Sequence, residues 1–146
     1  MTNQVSFKTT LHVRDHCLCL AAQKAARALA RRFDEAFRPL GLTNGQFSLL
    51  MSLNRPEPPP IGPVADLLAM DRTTLTANLK PLERRGLVKV IPAPKDRRIR
   101  LLKLTQDGQE LLAEAAEIWT REHAAVDRLL GDETADALRE GLAALA

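Results

Sequence analysis

Between Pro63 and Gly86 the chain has room for two short helices joined by a tight turn, and for little else. Pro63 fits the first turn of a helix, where its missing N–H is no loss, and Val64, Ala65, Leu67 and Leu68 give that helix an apolar side. The connection Ala69-Met70 leads to Asp71, whose carboxylate suits the N-cap of a second helix. Leu75, Leu79 and Leu82 recur at i, i+4 and i+7, and Gly86 is the residue type that best tolerates the left-handed position past a helix end. Two helices so joined form a helix-turn-helix. Pro81 removes one backbone hydrogen bond inside the second helix, and the spacing predicts a bend after Asn78 without a break.

The flanking segments are also helical, apart from one hairpin. Residues 11–40 contain no glycine and no proline before Pro39, and carry Val13, Cys17, Leu20, Ala21, Leu29, Phe33, Phe37 and Leu40 at helical spacing. This predicts one long helix whose early and late apolar residues face different sides, as two different partners would require, its own domain and a second subunit. Thr43 and Gln46 have the spacing of a capping box, opening a helix that buries Phe47, Leu50 and Met51 and stops at the stiff loop Arg55-Pro56-Glu57-Pro58-Pro59-Pro60. Residues 87–91 and 99–104 read as strands around a basic tip, 92–98. Thr105 caps a long helix with Leu111, Leu112, Ala115, Ile118, Trp119, Val126, Leu129 and Leu130 on its apolar side, and after Gly131 a last helix carries Ala135, Leu138, Leu142 and Leu145. The fold class is mainly α with a small β-hairpin, and residues 1–146 fit a single domain.

Charge separates these segments by task. From Arg72 to Lys103 ten Lys and Arg face two acids, a local charge of +8, although the whole chain carries only +3. From Thr105 to Ala146 ten acids face three arginines. The first stretch suits a polyanion and the second would repel one. With the three leucines inward, the outer side of the second helix is small, hydroxylated and basic. Arg72, Thr73, Thr74 and Thr76 fit the reading of base edges, with Ala77 beside them, while Lys80 and Arg84 fit phosphate. At the hairpin tip Lys95, Arg97 and Arg98 suit a minor groove, and Asp96 suits the task of holding a neighbouring arginine in place. The expected partner is double-stranded DNA. Each feature alone is ordinary packing or a wet surface; their order within one short stretch carries the weight.

Other classes find little support. No apolar run is long enough to span a bilayer and the first residues lack a secretory pattern, which points to the cytoplasm, as do two cysteines too close in sequence for a disulfide framework. There is no phosphate-binding glycine loop, nucleophile elbow or His-Glu-x-x-His, so neither an enzyme nor a cofactor is expected. The remaining rival is a protein-interaction module that binds acidic partners without preference for a palindrome.

Three stretches together, LGLTNGQFSLLMSL, VADLLAMDRTTLTANLKPLERRGLVKV and KDRRIRLLKLTQDG, resemble the MarR family of bacterial winged helix-turn-helix regulators, the last through Asp96-x-Arg98 followed by Leu104-Thr105. The resemblance implies a homodimer built on 11–40 and 105–146, a winged DNA-binding lobe over 43–104, and a wing arginine at Arg98 in the minor groove. It further implies a palindromic operator and a repressor released by a small aromatic effector. One branch of the family senses organic peroxide through a cysteine whose place Cys19 occupies; the tyrosines that support it there are replaced by Gln23, Phe33 and Asn44. His16 lies three residues before Cys19 and would favour its thiolate from the same helical side. Three readings stand beside one another: Cys17 and Cys19 as small buried hydrophobes, Cys19 as a redox sensor with His16, and a metal bridged by His12, His16 and Cys19. Trp119 and Phe47 are either core or the lining of a ligand pocket.

Overall fold

A computed structural model describes residues 3–146. In chain order the helices are α1 (Phe7–His16), α2 (Leu18–Phe37), α3 (Asn44–Leu53), α4 (Ile61–Leu67) and α5 (Arg72–Arg84). Strands β1 (Val88–Pro92) and β2 (Arg100–Leu104) form an antiparallel hairpin, followed by α6 (Gln106–Leu130) and α7 (Asp132–Leu145). A single 3-10 turn, Arg38–Leu40, joins α2 to α3. None of these helices, among the described residues, is long and apolar enough to cross a membrane.

The long first helix expected over 11–40 is two helices. Cys17 is extended (φ −74°, ψ 108°); its N–H closes α1 on the Val13 carbonyl at 2.9 Å, and its Sγ accepts the Leu20 N–H at 3.4 Å, capping α2. Neither proline nor glycine causes this break. α1 buries no residue, so no packed face holds it in line with α2, and the thiol cap replaces part of the lost backbone bonding.

The core gathers the end of α2, α3, α4, α5, the hairpin and α6 as far as Val126 around Phe37, Leu50, Val64, Leu75 and Leu82, all with no measurable exposure. Phe37 stacks on Phe47 with ring centroids 4.7 Å apart. The capping box forms as expected, Thr43 Oγ1 accepting the Gln46 N–H and Gln46 Oε1 the Thr43 N–H. Asp34 ties α2 to this corner by accepting the Asn44 backbone N–H at 2.7 Å and its Nδ2 at 2.8 Å, and these donors hold the Asp34 carboxyl below its ordinary value.

Several apolar residues expected inside lie outside. α3 is enclosed on more than one side, so Leu49 and Leu53 are buried with Leu50 while Met51 is 44% exposed; on α4, Leu67 is 64% exposed. Leu129, Leu130, Leu138, Leu142 and Leu145 are exposed as well, and α7 buries only Ala135. Val5, Phe7, Val13 and Leu18 extend the same pattern at the other end of the chain. Both ends of the chain therefore present apolar faces that their own core does not cover.

The helix-turn-helix forms as the spacing predicts. Its turn places Ala69 at φ +52°, a left-handed conformation costing a residue with a Cβ about 1 kcal/mol. α5 runs on through Pro81 without interruption. The hairpin's free edge is covered by the proline loop, since the Leu102 N–H donates to the Pro59 carbonyl at 2.8 Å and Pro60 bridges Leu101.

One joint orients the lobe. The Thr105 hydroxyl donates to the Gly86 carbonyl at 2.6 Å and accepts the Gly108 N–H at 3.0 Å, while the Thr105 N–H reaches the Leu87 carbonyl at 3.1 Å. A Cβ at Gly108 would lie 2.1 Å from the Leu87 carbonyl oxygen. Backbone would have to shift, so Gly108→Ala is expected to lower unfolding stability by about 1–3 kcal/mol in chemical denaturation. An unchanged midpoint and slope would contradict this close approach.

Candidate nucleic-acid interface

α5 is oriented by burial of Leu75, Leu79 and Leu82 at 0%, 2% and 0% exposure, which turns Arg72, Thr73, Thr76, Ala77, Lys80 and Arg84 outward. Asp71 caps the helix by accepting the Thr74 N–H and the Thr74 hydroxyl, both at 2.8 Å. These two bonds keep the Asp71 carboxyl ionised below its ordinary range. They also commit the Thr74 hydroxyl to the cap, which leaves it less suited to base reading than the sequence alone suggested.

The outer face of α5 forms the wall of an open depression of about 430 Å3 lined by Ile61, Arg72, Thr73, Thr76, Ala77 and Lys80. The Arg72 guanidinium lies over the backbone of Gly62 in α4, where a Cβ would come within 2.9 Å of Nη2. Gly62 thus provides the resting place of Arg72, a role not read from the sequence. Arg85 is withdrawn from this face, its guanidinium donating to the Gly41 and Leu40 carbonyls at 2.8 and 3.1 Å and fastening the end of α5 to the turn after α2.

The hairpin brings the second group of cations out to a tip. Ala93 and Ile99 close it through an N–H to carbonyl bond of 2.8 Å, and the Ile99 N–H returns to the Asp96 carbonyl. Lys95 and Arg97 are exposed. Asp96 holds Arg98 as expected: its carboxylate accepts the Arg98 N–H at 3.0 Å, Nε at 3.1 Å and Nη2 at 3.2 Å. The Arg98 side chain remains 91% exposed in this grip. Fixing a guanidinium before its target arrives reduces the side-chain entropy lost on contact. Among the described residues, Arg98 is the only cation between Arg72 and Lys103 in an ion pair. The rest of the +8 stretch has no carboxylate counter-charge within 4 Å.

The expected cysteine site is not assembled. His16 and Cys19 fall on different helices because the chain breaks at Cys17, and the His16 Nδ1 is engaged with the His12 carbonyl at 2.8 Å. The His12 and His16 rings stack 4.1 Å apart, and no cluster of metal-ligating groups occurs among the described residues. Cys17 is half-buried and Cys19 exposed in the single chain, with Gln23 Nε2 donating to Cys19 Sγ at 3.4 Å, so the chain's own core buries neither.

A cleft of about 530 Å3 opens beside α3 and α6, lined by Phe47, Ser48, Met51, Leu67 and Trp119 among others. A second of about 190 Å3 shares Phe47, Ser48 and Trp119 and adds Leu29 and Phe33. Trp119 is 40% exposed and stacks on His123 at 4.7 Å, so it lines the cleft and is not core. Met51 and Leu67, exposed against expectation, line it too. Their signal in the sequence was indistinguishable from core periodicity.

The MarR family model matches residues 42–99, from the cap of α3 to the wing tip. CouR, a transcriptional repressor solved bound to a 23-mer DNA duplex, superposes with a TM-score of 0.84 at 30% identity, covering 98% of this chain and 99% of that one. The chain belongs to the MarR family. CouR has also been solved bound to p-coumaroyl-CoA, with a TM-score of 0.82 at 30% identity over 91% of this chain and 94% of that one. The transcriptional activatory protein BadR of Rhodopseudomonas palustris is 33% identical over 60% of this chain, and the match spans about half of BadR's own length, 52%. An organic hydroperoxide resistance regulator of Bacillus subtilis is 29% identical over 69% of each chain. This chain is accordingly a DNA-binding transcriptional regulator of MarR type.

The Asp96 grip sets a pH dependence. The Arg98 guanidinium, and then its N–H, hold the Asp96 carboxyl below its ordinary value. A depressed folded-state value stabilises the tip above the ordinary aspartate range, and that stabilisation is lost as pH falls through the folded value. Carboxyl NMR should place the Asp96 midpoint below about 3.9 in the wild type and move it upward in Arg98→Ala. Equal midpoints in both would show that Arg98 does not hold this carboxylate.

Proposed function

We propose that this MarR-type regulator is a cytoplasmic homodimer that represses transcription from a palindromic operator and is released by a small aromatic effector. Residues 11–40 and 105–146 form the helical dimerisation region, and 43–104 the winged DNA-binding lobe. The carrying observation is the coincidence of a cationic face, Arg72 to Arg84 with the wing tip, in which only Arg98 is paired among the described residues, and uncovered apolar faces at both chain ends. The first face needs a polyanion and the second needs another apolar surface. Two-fold pairing of identical lobes then seats α5 in major grooves about one helical turn apart, with Arg98 in the minor groove. Arg72, Thr73 and Thr76 meet base edges, with Thr74 beside them at the cap; Lys80, Arg84, Lys95 and Arg97 meet phosphates. The effector site is the cleft at Trp119, which is mostly apolar where it is largest. CouR's p-coumaroyl-CoA complex supports a phenolic acid or its CoA thioester as the effector class.

A second reading, release by organic peroxide through Cys19, is supported by the exposure of Cys19 and by the similarity to the hydroperoxide resistance regulator. His16 does not assist it, being on the other side of the break at Cys17 with its Nδ1 engaged by the His12 carbonyl.

Fluorescence anisotropy on duplex upstream of the protein's own gene tests the DNA reading. Log affinity should fall linearly with log salt, and Arg98→Ala should weaken binding roughly tenfold and flatten the slope by about 1. Identical binding to random and inverted-repeat duplexes would contradict sequence-specific regulation. The effector reading has a built-in probe, because Trp119 is the chain's only tryptophan. p-Coumarate or p-coumaroyl-CoA should quench its emission and release DNA over the same concentrations. Release by cumene hydroperoxide that Cys19→Ser abolishes, with no quenching by either phenolic, would favour the second reading instead.

A further inference from the structure

We infer that Thr76 selects an A·T pair at the position of the major groove it faces, because its hydroxyl has no hydrogen left to donate. This inference rests on the proposal that α5 enters the groove. A threonine hydroxyl carries one hydrogen, and that of Thr76 goes to the Arg72 carbonyl at 2.8 Å. Such a bond to the carbonyl one turn earlier fixes the side chain in one of the two rotamers open to helical threonine. What Thr76 presents outward is therefore a pair of oxygen lone pairs and a methyl group, and the neighbouring Ala77 adds a second methyl to the same depression.

The three threonines at the start of α5 are not equivalent. The Thr74 hydroxyl donates to Asp71 at 2.8 Å and serves the cap. The Thr73 hydroxyl has no hydrogen-bond partner among the described residues, so it remains free to donate or accept and imposes no choice. Thr76 alone combines exposure on the reading face with a donor already spent. Its neighbours at i−4 and i+4 on that face, Arg72 and Lys80, are pure donors suited to guanine O6 and N7 or to phosphate.

Base pairs differ in what they offer such a surface. The guanine of a G·C pair presents only acceptors, O6 and N7, which an acceptor-only oxygen would meet with two unpaired lone-pair sets. Its cytosine offers an N4 donor but no methyl. An A·T pair offers the adenine N6 hydrogens to the Thr76 oxygen and the thymine C5 methyl to the methyls of Thr76 and Ala77. Both halves of the Thr76 surface are matched only there.

The test uses the intact protein. Binding sites are first enriched from a randomised duplex pool, and the selected site is then assayed with thymine replaced by uracil, or adenine by unsubstituted purine, one position at a time. Thr76→Val keeps a methyl and removes the acceptor, whereas Thr76→Ser keeps the acceptor and removes the methyl; the position is exposed, and circular dichroism checks that each variant folds. At one A·T pair in each half-site, either base change should weaken wild-type binding, by roughly tenfold for the two together. Thr76→Val should become indifferent to loss of the adenine amino group while remaining sensitive to loss of the thymine methyl. Thr76→Ser should stay sensitive to loss of the adenine amino group and lose most of its sensitivity to loss of the thymine methyl, since only the Ala77 methyl then remains to meet it. An enriched site at which neither variant erases either penalty, or at which Thr76→Val alters preference only at a G·C pair, would overturn this inference and leave the functional reading intact. A wild type that enriches no sequence would overturn both.

Discussion

Thr105 makes the contact on which the rest of the architecture depends. Its hydroxyl joins the end of α5, through the Gly86 carbonyl, to the first turn of α6, through the Gly108 N–H, and its own N–H pins the start of β1. Gly86 turns the chain into the joint at φ +72°, and the joint admits no padding at Gly108, whose backbone lies against the Leu87 carbonyl. α6 then runs for 25 residues, about 37 Å, from this joint to the apolar surface at Leu129 and Leu130. The direction of α5 and the direction of α6 are thereby one geometric fact. Ala116, Trp119 and Thr120 of α6 line the larger cleft, so the cleft wall and the cationic helix α5 meet through the Thr105 contact.

Electrostatics and apolar exposure divide the molecule along that axis. At the α5 and wing end, repulsion among cations goes unrelieved except at Arg98, where Asp96 takes up part of the charge and orients the rest. At the far end, acidic residues surround exposed leucines, and the ion pairs Arg139–Asp127 and Arg32–Glu122 cross between helices. Partly exposed pairs of this kind contribute little net stability and act chiefly as registration between elements. Burial of Phe37, Leu50, Val64, Leu75 and Leu82 supplies the stability that both exposed ends draw upon.

Much of this was legible in the residues because it depends on neighbours within a few positions. The caps at Thr43, Asp71 and Thr105, the inward leucines of α5 and the Asp96 grip on Arg98 rest on spacings of two to seven residues, and the hairpin on pairings eight to sixteen residues apart. Features that depend on distant packing were not legible. The break at Cys17 follows from α1 having nothing to pack against, which no residue type announces. Met51 and Leu67 share the spacing of core residues, and only the placement of α6 leaves them lining a cleft. Arg85 belongs to the same basic run as Arg84, yet it reaches carbonyls more than forty residues earlier in the chain. The resting place of Arg72 over Gly62 likewise depends on how α4 and α5 cross.

An apolar end and a cationic end, each uncovered in the single chain, are the physical basis for the proposed pairing of two chains on a duplex. Sedimentation equilibrium of the intact protein, alone and with a short duplex carrying its selected site, measures both coverings at once. The account predicts two chains per particle at micromolar concentration without DNA, and two chains per duplex with it. A single chain under both conditions would contradict it, since neither uncovered surface would then have found the partner its chemistry demands.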